Sequence, residues 1–262
     1  MSKAPASVLL CAIALMAPAA ARAEPAVLGL ARAFIGPEST IDGIKSIHFV
    51  GSVQRVDPDQ AAESAVVDGL DMTFAKPLRQ RLVVRGPKAS RTTVLDGYDA
   101  WDWVQENLDP TKFRLTWLNA ADIRTLRANT WENLYYYRGP EGGSVEDKGP
   151  ATIDGVACER VDFTHGPGIV YERYFDRDTG RLVLTVKGAE LIRESGEIRA
   201  DGIRFAKTIV STTKNASGKD VITTVTFDSV VLNEPLRADF FAVPSVPTAK
   251  APALPASGAL VR

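Results

Sequence analysis

The stretch Arg91-Thr-Thr-Val-Leu-Asp-Gly-Tyr-Asp-Ala-Trp-Asp-Trp-Val104 decides the fold class. Arg91 to Leu95 reads as extended chain. Asp96-Gly97 is a turn dipeptide that favours positive φ, and Ala100 to Val104 resumes the strand. Side chains alternate across a strand, so Trp101 and Trp103 share one face. The same grammar repeats upstream. Ser46 to Val56 alternates with Ile47, Phe49, Gly51 and Val53 on one side, and Val66 to Phe74 follows. After Lys76-Pro77, Leu78-Arg-Gln-Arg-Leu-Val-Val84 sets charged residues inside an apolar frame, the pattern of a half-solvated strand. Downstream, Lys112 to Leu118 places Phe113, Leu115 and Trp117 together, and Val156 to Thr164 and Ile169 to Phe175 are further strands. Asp176 to Gly180 makes a hairpin turn into Arg181 to Lys187. Glu197 to Arg199 turns through Ala200-Asp201-Gly202 into Ile203 to Thr212, and Val221 to Leu232 is the last long strand. Roughly ten to twelve such runs with short turns predict a mainly β chain with a minor α part (α+β), built on an antiparallel sheet that is curved or barrel-like.

The helical signals are few, and they predict elements that cover one face of the sheet. Pro25 suits a first turn, and Val27, Leu28, Leu30, Ala31, Phe34 and Ile35 recur at helical spacing until Gly36-Pro37 breaks the run. A short helix is expected over Glu38 to Lys45. Asn119 is a helix cap, with Asp122 favouring the positive end. The stripe Ile123, Leu126, Thr130, Leu134 and Tyr137 predicts a helix that Gly139-Pro140 terminates. Glu141 to Pro150, with Gly142-Gly143 and the charges Glu141, Glu146, Asp147 and Lys148, reads as a mobile loop.

The N-terminus carries an export signature. Lys3 precedes an apolar, alanine-rich run from Val8 to Ala21 that ends in Ala21-Arg22-Ala23, a small-x-small cleavage site. Residues 1–23 are therefore expected to be a signal peptide cleaved before Glu24, which places the mature chain in the periplasm. Residues 24–244 form one expected domain, and the Pro/Ala-rich segment 245–262 lacks periodicity and is expected to be a disordered tail. Without Lys3 and Arg22 the 31 basic side chains become 29 against 32 acidic ones, a net charge of about −3. Such a balance gives no electrostatic case for nucleic acid or anionic membrane. The mature part has no apolar run long enough to span a bilayer. It keeps a single cysteine, Cys158, so no intramolecular disulfide is expected, and that cysteine reads as a small buried residue.

Motifs that carry chemistry are scarce. His48 and His165 fall in different predicted neighbourhoods and form no ligand pair, so no metal and no cofactor are expected. Asp176, Asp178 and Gly180 loosely resemble the start of a calcium loop, but Lys187 stands where its glutamate belongs. No Gly-x-Ser-x-Gly elbow occurs, and the glycines near Gly139 to Gly143 follow a helix where a phosphate loop would open one. Glu132, Asp162, Glu172 and Asp176 are the acids that could meet as a pair. No catalytic residue is assigned, and an enzyme is not expected. The aromatic residues are more informative. Trp101, Trp103, Phe113 and Trp117 come from neighbouring strands at period two, and Tyr171 and Phe175 are candidates for the same layer. Together they are the expected lining of an apolar cavity on a curved sheet.

The order of parts resembles the LolA/LolB-like superfamily of periplasmic outer-membrane lipoprotein-sorting carriers, over about residues 25–244. The resemblance rests on an N-terminal helix before Ile44-Lys-Ser-Ile-His-Phe-Val-Gly-Ser-Val53 and on Phe74-Ala-Lys-Pro-Leu-Arg-Gln-Arg-Leu82. It also rests on Leu95-Asp-Gly-Tyr-Asp-Ala-Trp101, on Val156 to Gly180 with its Asp-x-x-Thr-Gly ending, and on Phe227-Asp-Ser-Val-Val-Leu-Asn-Glu-Pro-Leu-Arg-Ala-Asp-Phe-Phe241. It implies a single antiparallel sheet forming an incomplete β-barrel, with helices plugging the concave side. It further implies a carrier or binder of a lipid-like ligand, the acyl chains of lipids or lipoproteins. The alternative is a cell-envelope sensor or protein-interaction module with a self-filled cavity, whose partners would be envelope proteins.

Overall fold

The computed structural model describes residues 24–60 and 66–244, so the expected signal peptide 1–23 and tail 245–262 lie outside the described residues. Two helices open the chain, α1 (Ala26–Ile35) and α2 (Glu38–Gly43). A meander of six strands follows: β1 (Ser46–Val56), β2 (Val67–Ala75), β3 (Arg79–Arg85), β4 (Ala89–Asp96), β5 (Asp99–Glu106) and β6 (Phe113–Trp117). Helix α3 (Ala120–Leu134) then leads to β7 (Ser144–Ile153), β8 (Val156–Gly166), β9 (Ile169–Asp176), β10 (Leu182–Lys187) and β11 (Glu190–Ser195). The last elements are β12 (Ile198–Ala200), β13 (Ile203–Phe205), β14 (Thr208–Lys214) and β15 (Asp220–Leu232). Thirteen strands form one curved antiparallel sheet in the order β6-β5-β4-β3-β2-β1-β15-β14-β11-β10-β9-β8-β7, not closed into a barrel, while β12 and β13 pair as a separate hairpin.

The first and last strands meet in the middle of the sheet, where β1 pairs with β15 from Ile47↔Leu232 to Val56↔Ile222. The ladder shifts at Gly51, where a Cβ would lie 2.1 Å from the Thr226 carbonyl oxygen, so the close approach of the two backbones requires glycine there. Asn233 seals the end of the seam. Its backbone turns at φ 57, and its Oδ1 accepts from the Lys45 amide at 2.6 Å and the Ser46 amide at 3.3 Å.

Register assigns the two faces of the β1–β6 half. Ile47 lies beside Phe74, Phe74 beside Gln80, Gln80 beside Leu95, and Leu95 beside Ala100. This row, with Phe49, Leu70 and Met72, faces the helices, and Gln80 Oε1 accepts from Thr130 Oγ1 of α3 at 3.1 Å. We call it the inner face. Its main core joins Ile41, Ile44, Ile47, Phe49, Phe74, Leu134, Tyr136, Ile203 and Phe227. A second inner core packs Val27, Leu28 and Ala31 of α1 on Val161, Phe163, Tyr171 and Phe175.

Local expectations hold at the turns and caps. Gly97 has φ 65 and Gly180 has φ 74, and Asn119 Oδ1 accepts from the amides of Ala121 and Asp122. Three details differ. The segment read as a loop, Glu141 to Pro150, contains most of β7. As the outermost strand β7 needs neither a full apolar face nor an amide at Pro150 on its unpaired side, so its polar sequence hides a strand. The run Ile203 to Thr212 is split into β13 and β14, with β13 leaving the sheet to cover its inner face. Helix α3 stops at Leu134, because Tyr136 and Tyr137 turn into the left-handed region at φ 46 and φ 66.

Candidate functional site

The tryptophans do not line the inner face. Trp101 pairs with Val94 and Trp103 with Thr92. Trp117, Leu115 and Phe113 lie opposite Trp101, Trp103 and Gln105. Val94 in turn faces Arg81, which lies opposite Thr73 and so beside His48, one residue out of phase with the inner row. Trp101, Trp103, Phe113 and Trp117 therefore stand on the outer face. Period two makes them share a face, but which face is set by register relayed through four strand pairs, which a local pattern does not carry. There Trp103 stacks on Phe113 at 4.4 Å. The chain after β15 folds back over them, with Phe241 buried against Trp101 and Trp103 and Phe240 beside it. Arg79 and Arg81 lie over the Phe241 and Phe240 rings at 4.9 and 5.1 Å. Trp117 remains 60% exposed on the outermost strand.

Tyr171 and Phe175 do stand on the inner face, but α1 covers them as core. None of the six expected lining residues borders the cavity the inner face encloses. That cavity measures about 400 Å³. Its apolar wall is made by Phe34 and Ile35 of α1, Phe49, Met72, Ile209 and Phe227 of the sheet, Leu182, and Phe205 of the hairpin. Phe49 is the hub, with the Phe227 ring at 4.5 Å and the Phe205 ring at 5.4 Å. The β12–β13 hairpin is clamped to α1. A Cβ on Gly36 would lie 2.8 Å from Ile203 Cδ1, and the Arg204 guanidinium sits 4.4 Å from the centre of the Phe34 ring.

The other end of the cavity is polar. Arg173 lies between Tyr171 and Phe175 in sequence and points the same way, with a side chain only 9% exposed. It forms an ion pair with Glu132 of α3, whose other oxygen is 2.5 Å from His165 Nε2. The guanidinium also lies 4.9, 5.3 and 5.7 Å from the Tyr137, Phe163 and Tyr171 rings. A buried charge needs such company: one counter-ion and several ring faces offset its lost hydration. Burial raises the hydroxyl pKa of Tyr136, Tyr137 and Tyr171. Glu194 borders the cavity with accessible surface, yet desolvation by the protein around it raises its carboxyl pKa, and Arg173 opposes that rise.

The other candidate acids have partners of their own. Asp162 and Glu172 share Arg160, at 2.8 and 2.9 Å, and Asp176 caps its own turn by accepting from the amides of Asp178 and Thr179. The sequence signal for the polar end was an arginine at an inward position of an otherwise aromatic alternation, Tyr171, Arg173, Phe175.

No family model and no curated protein sequence matches the chain. Solved structures do. A domain from Vibrio parahaemolyticus that is named for outer membrane lipoprotein sorting superposes with TM-score 0.53 at 9% identity, covering 82% of this chain and 95% of that one. A LolA superfamily protein from Nitrosomonas europaea gives 0.54 at 11% identity, covering 81% and 97%. The fold is LolA-like. A DUF1329 family protein from Desulfovibrio piger shares it, with TM-score 0.52 at 11% identity over 82% of this chain and 95% of that one. At these identities the likeness extends to the fold alone. In this chain the inner face is covered by α1, α3 and the β12–β13 hairpin, and the cavity lies where the three meet the sheet. No helix among the described residues is long and apolar enough to cross a membrane.

Proposed function

We propose that this protein is an exported carrier or binder of a lipid-like ligand, held in the cavity between the inner face of the sheet and its cover. The observation that supports this reading most directly is the cavity of about 400 Å³ with its wall of Phe34, Ile35, Phe49, Met72, Leu182, Phe205, Ile209 and Phe227. A void of this size and lining is within the range of small-molecule sites, and apolar surface facing water is what an acyl chain would cover with gain. Solved proteins of the same fold include a domain named for lipoprotein sorting, which is consistent with that use. The occupant would enter past the β12–β13 hairpin and Glu194 to Gly196, which border the cavity. The alternative reading, a module with a self-filled cavity, fits less well, because the side chains leave this volume open.

The test is mass spectrometry of the exported protein purified without detergent, with organic extraction of any adduct, followed by titration with an apolar fluorescent probe. A stoichiometric lipid or acylated adduct, or saturable probe binding lost on adding lipid, is the expected result. A clean polypeptide mass together with no probe binding would overturn the reading.

A further inference from the structure

The thirteen-stranded sheet ends in two edges, and the chain treats them differently. A bare edge offers a row of unpaired amides and carbonyls to any other strand. β7 is guarded: it carries Glu146, Asp147, Lys148 and Pro150, and its ladder to β8 shifts between Asp147 and Gly149. β6, Phe113-Arg-Leu-Thr-Trp117, has no proline and no such shift, and its one charge is Arg114. Which of its backbone groups are free follows from the ladder to β5. The Leu118 amide donates to the Ala100 carbonyl and the Glu106 amide to the Lys112 carbonyl, both at 3.0 Å. Bonded pairs recur at every second residue, so Arg114 and Thr116 also turn their amides and carbonyls toward β5. Phe113, Leu115 and Trp117 turn theirs away from the sheet, where they meet no backbone partner among the described residues.

The free residues read alike in both directions: aromatic, leucine, aromatic at Phe113, Leu115 and Trp117. Their side chains share the outer face, where Phe113 stacks on Trp103 and Trp117 is left open. We propose that β6 joins two copies of this chain edge to edge, antiparallel about a two-fold axis through Leu115. In that register each Leu115 lies opposite the other, and each Phe113 opposite the second copy's Trp117. All three pairs have backbone groups pointing outward, so each exchanges both its N–H···O bonds. The second copy's Phe113 then covers Trp117, and aromatic cross-strand pairs are favourable ones. A centre on Arg114 would set the two arginines opposite each other, and a centre on Thr116 would leave Phe113 unpaired. The centre on Leu115 uses every free residue and faces Arg114 with Thr116, so no like charges stand directly opposite. A surface that complements itself in this way fits a copy of its own chain. None of the three residues borders the cavity, so the inference stands apart from the lipid-binding reading.

The strand is short, so the association belongs to the weak class. Sedimentation of the exported chain between about 5 and about 500 µM should show a reversible monomer–dimer equilibrium within that range. Backbone hydrogen exchange tests the edge itself and needs no variant. In concentrated protein the Phe113, Leu115 and Trp117 amides should exchange at least about threefold more slowly than in dilute protein, while those of Arg114 and Thr116, already bonded to β5, should not change. Leu115→Lys sets two like charges across the axis and should weaken dimerisation at least about tenfold, and Leu115→Glu should do the same. An equal mixture of the two variants should recover dimer to within about threefold of the parent, because the charges then oppose each other. A chain that stays monomeric to about 500 µM overturns the second copy as occupant, and protection of the three amides in that monomer would assign the edge to a segment of the same chain. A dimer that leaves the three amides unprotected, or that tolerates Leu115→Lys, overturns the edge as the interface. Failure of the mixture to recover overturns the register about Leu115.

Discussion

The two faces of the β1–β6 half carry comparable aromatic clusters and treat them differently. On the outer face, Trp101, Trp103 and Phe113 are roofed by Phe240 and Phe241, supplied by the chain itself. On the inner face, Phe49 and Phe227 are roofed by two helices and a hairpin that carries Phe205, and a void of about 400 Å³ remains among them. Both clusters are apolar and aromatic, so composition does not separate a closed core from one that leaves a void. What separates them is the cover. A short segment can follow a convex sheet surface closely, whereas rigid helices over a concave one leave space.

The largest effect should come from unroofing the outer cluster. Phe241→Ala is expected to cost about 3 kcal/mol of stability, as burying rings does elsewhere, and to leave affinity for an apolar probe unchanged. Chemical denaturation beside probe titration measures both, and loss of probe binding in the folded variant would show that the two faces are coupled. Filling the inner void tests the converse. Met72→Trp should lower probe affinity at least about tenfold while changing stability by less than about 1.5 kcal/mol, because the added ring enters existing space. If affinity holds, the probe sits elsewhere.

Trp117→Ala should do little to either quantity. The side chain is 60% exposed on the outermost strand, so a loss within about 1 kcal/mol and no change in probe affinity are expected. The smallest effect concerns Glu194. Its raised carboxyl pKa means the folded state holds the proton more tightly than the unfolded chain. That contribution is present below the usual 4.5 and fades as pH rises through the raised value. Glu194→Gln should therefore match the parent near about pH 4 and melt about 1 °C higher near about pH 8, the small size reflecting its solvent access. Equal differences at both pH values would place the group outside the polar end.

The sheet itself was legible because its signals are local: alternation at Ile47, Phe49 and Val53, the Asp96-Gly97 turn, the Asp176-to-Gly180 turn and the Asn119 cap. The edge strand β7 was not, since a strand paired on one side need not show an apolar stripe. The site was mostly hidden. Its walls come from Phe34, Phe49, Phe205 and Phe227, which lie far apart in sequence, and the face given to Trp101 and Trp117 depends on register accumulated over several strands. Arg173 was not singled out either, although a charge between Tyr171 and Phe175, which face inward, was a readable signal.

The central seam has a consequence for how the chain comes into being. Ile47 pairs with Leu232, so the two ends of the domain must find each other across almost its whole length. The β1–β6 meander, and the β7–β11 ladder, can form from neighbouring hairpins as the polypeptide is made. Phe49 and Phe227 touch only once β15 has been delivered. The chamber between the sheet and its cover is thus a late product of synthesis, and a chain cut short before Phe227 would be two ladders with no vessel between them.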